Sequence, residues 1–288
     1  MKIGVIYPQT ELGGDPEAVR RIGISAEELG YHHLLAYDHV LGATHDREPK
    51  LTGPYTDKHP FHDPFVMFAH LAALTRRIEF VTGILILPQR QTVLVARQAA
   101  DLDLLSGGRL RLGVGIGWNY VEYAALGQDF STRGRRMAEQ VNLLRRLWSE
   151  PLVDFKGTFD RIDRATLNPR PQRQIPIWFG GFAEAALRRA AALGDGFIFS
   201  GRTEAALETA SRLREYVKEA GRAAESFGLH CNLLQAKTPQ EVVDTALRWR
   251  DIGGTHVSVL TMGQGFTSTD QHIDHMKRVA EAVQKTKF

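Results

Sequence analysis

The amino-acid sequence predicts an α/β protein folded as a closed (β/α)8 barrel, a TIM barrel, with a small hairpin insertion before the fifth strand. Two observations carry this. Segments with strand periodicity alternate with segments of helical periodicity, and eight such strands are each followed by a helix. The length, 288 residues, is that of one barrel. Right-handed crossovers leave a βα series of this kind few other arrangements. No obvious linker or short repeat interrupts it, so residues 1–288 read as a single domain.

The first strand, residues 2–8, alternates around Ile3, Val5 and Tyr7. The spacing predicts a helix over 16–29, with Asp15 as N-cap, Pro16 in the first turn and Gly30 as its stop. Residues 33–40, HLLAYDHV, form the second strand. Residues 42–62 are a polar loop with three prolines, long enough to act as a lid over substrate. Asp63 and Pro64 open a helix that runs to residue 74, and the third strand, 78–87, is interrupted by Gly83 and ended by Pro88.

A helix over 92–105 leads into the pivotal stretch LSGGRLRLGVGIGWNY, residues 105–120. Gly107 and Gly108 stop the helix, because glycine accepts the left-handed conformation a helix end needs. Leu110, Leu112, Val114 and Ile116 alternate as the fourth strand. Gly113, Gly115 and Gly117 occupy its other face and leave room for something flat against the backbone, or else simply fit tight barrel packing. The glycines do not form a G-x-G-x-x-G dinucleotide fingerprint, since its last glycine falls on Trp118 or Tyr120.

An amphipathic helix over 135–148 precedes the hairpin insertion, 151–174, with Gly157 in its turn. The remaining strands are 175–179, 196–200, 229–234 and 256–262, and the helices after them are 182–193, 204–220, 240–252 and 270–284.

Composition narrows the function. The net charge of +3, from 36 basic and 33 acidic residues, is too balanced to argue for nucleic acid. Cys231 is the only cysteine, which excludes an intrachain disulfide and a cysteine-rich metal site. Seven of the eleven histidines lie between His32 and His70, but their spacing matches no compact ligand motif, so no metal is expected. No apolar run reaches the roughly 18 residues of a membrane span. The expectation is a soluble, cytoplasmic protein without nucleic-acid or membrane partners.

In a (β/α)8 barrel the chemistry sits at the C-terminal ends of the strands. The ends that carry chemical groups are Asp38 and His39, Gly83 and Ile84, Gly115 to Trp118, and Gly180 with Gly181. Asp38 and His39 offer an acceptor and a proton shuttle, or else a cap beside a solvated histidine. Gly180 and Gly181 precede a helix whose free N–H groups suit a phosphate or carboxylate, or else form a plain turn. Trp118, in a glycine-lined setting, suits stacking on a ring.

The run DPFVMFAHLAALTRRIEFVTGILILPQRQTVLVARQAADLDLLSGGRLRLGVGIGWNYVEYAALG, residues 63–127, resembles the luciferase-like monooxygenase superfamily. FSTRGRRMAEQ, NPRPQRQIPIWFGG and ALGDGFIFS continue the likeness in the same order. The resemblance implies a barrel that holds a flavin or the deazaflavin coenzyme F420 at its strand ends. It also implies a non-prolyl cis peptide at Gly83–Ile84 behind the ring, a border at Gly115 and Gly117, and a phosphate on Gly180–Gly181. The strand ending YDHV resembles the F420-dependent oxidoreductase branch, where the aspartate (here Asp38) contacts the deazaflavin and the histidine (here His39) sits by its reactive face.

The implied reaction is hydride exchange between the deazaflavin and a small organic substrate, with His39 as the catalytic residue. The alternatives are an FMN-dependent monooxygenase using reduced FMN and oxygen, and a flavin- or deazaflavin-binding protein without turnover. The family's sugar-phosphate dehydrogenases carry a glutamate where this chain has Trp118, so oxidation of glucose 6-phosphate is not expected and an apolar or planar substrate is. Members commonly pair through barrel helices, which implies a homodimer.

Overall fold

The structure, a computed structural model, describes residues 1–286. In chain order the elements are β1 (Lys2–Ile6), α1 (Pro16–Glu28), β2 (His33–Ala36), α2 (Pro64–Leu74), β3 (Glu79–Thr82), β4 (Leu85–Ile86), α3 (Thr92–Ser106), β5 (Leu110–Gly115), α4 (Tyr120–Ala125) and α5 (Arg133–Ser149). They continue with β6 (Val153–Lys156), β7 (Arg161–Ala165), β8 (Ile177–Gly180), α6 (Glu184–Leu193), β9 (Gly196–Phe199), α7 (Thr203–Glu219), β10 (Gly228–Leu233), α8 (Pro239–Asp251), β11 (His256–Leu260) and α9 (Thr269–Gln284). Strands β1, β2, β3, β5, β8, β9, β10 and β11 pair in parallel and in that order, and β11 returns to β1, which closes the barrel.

The local chemistry that starts and stops these elements is that of the sequence. Asp15 caps α1 by accepting from Glu17 N at 2.9 Å, and Gly107 ends α3 at φ 71°. A capping box of Thr238 and Glu241 opens α8. The hairpin β6–β7 precedes the fifth barrel strand, and the Glu139 carboxylate of α5 clamps its turn by accepting from Thr158, Phe159 and Asp160 N.

Strand alternation sorts the side chains into two cores. Leu112, Val114, Phe179, Phe197 and Val257 point outward and pack with Phe68, Ala99, Leu144 and Trp249 of the helices. Ile6, Leu35, Val81, Trp178 and Ile198 fill the barrel interior. Below this apolar layer lies a polar one. Arg111, 2 % exposed, donates to Glu79 Oε2 at 2.8 Å, and its guanidinium lies 4.4 Å from the Trp178 ring centre. His230 Nδ1 faces Arg111 Nη1 at 3.3 Å, and the His230 and His33 Nε2 atoms flank Ser258 Oγ at 2.7 and 2.8 Å. His256 packs against the same group. Burial, with Arg111 nearby, holds His33 and His230 well below the ordinary histidine range and takes His256 down to about 2.

Three features depart from the sequence reading. The second strand ends at Ala36 instead of 40, and α4 adds an unanticipated helical turn and a half. The third strand is broken in two: Val81 faces Arg111 and Leu85 faces Val114, so residues 82–84 stand opposite only 112 and 113. That is a β-bulge, centred on Gly83. No helix among the described residues is long and apolar enough to cross a membrane.

Candidate active site

The segment after β2 is held by side chains reaching in from three directions. Gln9 spans the backbone of Tyr37, accepting from its N at 2.5 Å and donating to its O at 3.1 Å, which extends the β1–β2 pairing by one residue. Asp38 is spent within the protein. Its Oδ2 accepts from Ile86 N at 2.9 Å and its Oδ1 from Arg90 Nη2 at 2.7 Å. Arg90 also reaches Asp63, the N-cap of α2. Burial works against the Arg90 cation, but the two carboxylates outweigh that loss and raise its pKa, so it stays charged. The geometry therefore gives Asp38 the task of fixing β4.

His39 turns toward the mouth of the barrel, its side chain 8 % exposed. Its Nδ1 lies 3.0 Å from Glu122 Oε2, and the other Glu122 oxygen accepts from Val40 N at 2.7 Å and Leu41 N at 3.0 Å. Glu122 is wholly buried. The His39 Nε2 makes no hydrogen bond within the protein among the described residues. Around the imidazole stand Phe61, Tyr55 and Trp118, with ring centres at 4.9, 5.4 and 5.5 Å. These three rings, with Leu41, Gly42, Ala43, Thr56 and Asn119, enclose a small pocket beside His39.

Sequence reading missed Glu122, Tyr55 and Phe61. A signal for Glu122 was present: Asn119-Tyr120-Val121-Glu122 has the N-x-x-E spacing of a helix start, and Asn119 does cap α4, accepting from Val121 and Glu122 N. The carboxylate, however, reaches across to the β2 exit instead of back to its own cap. Tyr55 and Phe61 belong to the 42–62 loop, which folds over His39, and Trp118 rests on Gly53 of that loop with no room for a Cβ there. Trp118 therefore supports the loop as well as facing the histidine.

The Gly83–Ile84 peptide is cis, as the resemblance implied. A Cβ at Gly115 would lie 2.6 Å from Ile84 Cδ1, one at Gly180 2.7 Å from Ile84 Cγ2, and one at Gly117 2.8 Å from Ile86 Cγ2. The missing side chains of Gly115, Gly117 and Gly180 thus make room for two isoleucines. What faces the mouth is an apolar ledge of half-buried Tyr37, Ile84, Leu234, Leu260 and Met262.

Gly180 ends β8, and Gly181, at φ 147°, turns the chain into α6. That helix has no side-chain cap, and the N–H groups of Glu184 and Ala185 find no acceptor among the described residues. An uncapped helix start after two glycines is a fitting cradle for a phosphate.

A wider cleft of about 400 Å³ opens at the opposite end of the barrel, lined by Lys2, Glu27, Arg77 and Arg109. Two of its charged groups, Glu27 and Arg109, are already engaged. Glu27 accepts from the backbone of residues 76–78, and the Arg109 guanidinium donates to four protein oxygens of residues 72–78 as well as to Ser106 O. No group of three metal-ligating side chains is assembled among the described residues.

Comparison with known proteins agrees with this fold. A monooxygenase from Streptomyces bottropensis, RslO1, shares the fold, with a TM-score of 0.80 at 22 % identity over 99 % of both chains. An F420-dependent glucose-6-phosphate dehydrogenase of Nakamurella multipartita is 32 % identical over 218 residues, 74 % of this chain and 61 % of that one. An uncharacterised protein of Mycobacterium tuberculosis is 33 % identical over 270 residues, 90 % of this chain and 92 % of the other. The family model for luciferase-like monooxygenases matches residues 1–287, so the chain belongs to the luciferase-like monooxygenase family, whose members are oxidoreductases and monooxygenases.

Proposed function

We propose that this protein is a coenzyme F420-dependent oxidoreductase acting on a small, neutral organic substrate. The observation that carries the reading is His39: a histidine held at Nδ1, open at Nε2, and walled by three aromatic rings at the strand ends. A bound deazaflavin would supply two-electron hydride chemistry. Such chemistry on an alcohol or carbonyl needs a partner for one proton, and His39 Nε2 is placed to hold it. The Ile84 ledge would carry the ring, and the α6 N-terminus would take the phosphate. Tyr55, Phe61 and Trp118 would exclude water from the substrate and favour an apolar or planar one.

Glucose 6-phosphate is a poor fit, since among the described residues no lysine or arginine lines the pocket beside His39. The test is a fluorescence titration of the purified protein with F420 and, separately, with FMN. Preferential binding of F420, followed by substrate-dependent turnover without oxygen uptake, is the expected result. Preference for FMN with oxygen consumption would establish the monooxygenase reading in its place.

The protein is further proposed to be a homodimer. Val66 and Leu74 of α2 and Val93, Leu94 and Leu105 of α3 are exposed on two helices that pack side by side. An apolar face of this kind is one that a second copy would cover. Light scattering should give twice the chain mass, and a monomer mass would refute the pairing.

A further inference from the structure

We infer that Glu122 is the positioning residue that fixes the tautomer of His39, so that Nε2 is the nitrogen that handles the proton. The inference extends the function proposed above and names a residue that the resemblance did not supply. A carboxylate can only accept hydrogen bonds. Glu122 receives three, from Val40 N, Leu41 N and His39, so the hydrogen of the neutral imidazole sits on Nδ1 and the lone pair on Nε2. Because the two backbone bonds lock Oε1, Oε2 has one orientation open to it, toward the imidazole. Glu122 is anchored in turn by α4, whose first turn Asn119 caps.

Glu122 is the charged group that contacts the imidazole. The remaining titratable neighbours are Tyr55, across one ring face, and His45 and His59, which lie behind Trp118 and Tyr55. Asp38, next in sequence, is bound to Arg90 and turned away. The arrangement resembles other carboxylate–imidazole pairs in which the acid orients the base without itself exchanging a proton.

Glu122→Gln separates this role from a merely structural one. The variant keeps the shape, and its amide oxygen can go on accepting from Val40 and Leu41. Its amide NH2 would then face Nδ1 and force the hydrogen onto Nε2. In ¹⁵N-histidine-labelled protein without cofactor, the His39 ring should show Nδ1–H in the native chain and Nε2–H in Glu122→Gln, with assignment from His39→Gln. With cofactor and substrate, kcat should fall by about 10²- to 10⁴-fold, with KM and the thermal midpoint little changed.

An Nε2–H tautomer in the native protein overturns the inference, and that measurement stands even where the variant does not fold. A variant that inverts the tautomer yet keeps turnover within threefold overturns it as well. The tautomer is read without cofactor, so a failure of the F420 proposal leaves this result separately legible.

Discussion

Replacing His39 with glutamine should lower turnover by about 10²- to 10⁴-fold and leave cofactor affinity within a few-fold. The two effects separate because the groups responsible lie apart. Cofactor binding is assigned to Ile84 and the start of α6, whereas the imidazole's ring and hydrogen-bond partners among the described residues are Glu122, Tyr55, Phe61 and Trp118. Proton handling is assigned to one atom, His39 Nε2. Glutamine preserves polarity and approximate size but cannot exchange a proton near neutral pH. Stability should change little, since the side chain makes one hydrogen bond and borders the pocket. The measurement is a pair of steady-state constants together with a cofactor titration on the same preparation. Turnover retained within tenfold would remove His39 from the chemistry. A parallel collapse of cofactor affinity would make its role one of binding.

The second large effect concerns acid. The His33, His230 and His256 rings are held neutral by burial beside Arg111, whereas in the unfolded chain a histidine titrates near 6.5. A folded-state pKa below the unfolded one means that the unfolded state binds more protons as pH falls, so stability is lost on that side. Above about pH 7 the unfolding free energy should be flat with respect to these groups. Below about pH 6.5 each should remove about 1.4 kcal/mol per pH unit, and the three together roughly 4 kcal/mol. Domains are stable by about 5–15 kcal/mol, so a loss on this scale is a readily measured share of the margin.

Urea midpoints at pH 8, 7, 6 and 5 would reveal the break, and His256→Gln should reduce the acid slope by about a third. A midpoint constant from pH 7 to 5 would show that these rings find protons, or partners, in the folded state.

The barrel was legible in the sequence because strand and helix periods alternate without interruption, and because Asp15, Gly107 and Thr238 punctuate the helices by local chemistry. His39 was legible because strand ends are where such a fold places chemistry. What escaped was non-local. Glu122 lies 83 residues from His39, and no periodicity links them. Tyr55 and Phe61 sit in a loop whose path over the site is set by Trp118 and Gly53, not by any repeating pattern. Asp38 was visible as a strand-end acid, but its commitment to Ile86 and Arg90 depends on a bulge that no residue spacing announces.

That bulge also limits how this chain can vary in length. Along β3 and β4 the inward residues are Val81 and then Ile84, while Leu85 and Leu87 face the helices, a change of phase made by the one surplus residue. The 42–62 loop lies outside any strand register, so an insertion or deletion there would leave the strands in step. Deleting one residue from 82–84 would instead leave two residues opposite 112 and 113 and so remove the bulge, with Leu85 still opposite Val114. Leu85 and Leu87 would go on facing the helices, but the bulge that seats Ile84 in the space beside Gly115 and Gly180 would be gone. The surplus residue is accommodated at this one point, and the Ile84 part of the ledge at the barrel mouth depends on the bulge it makes.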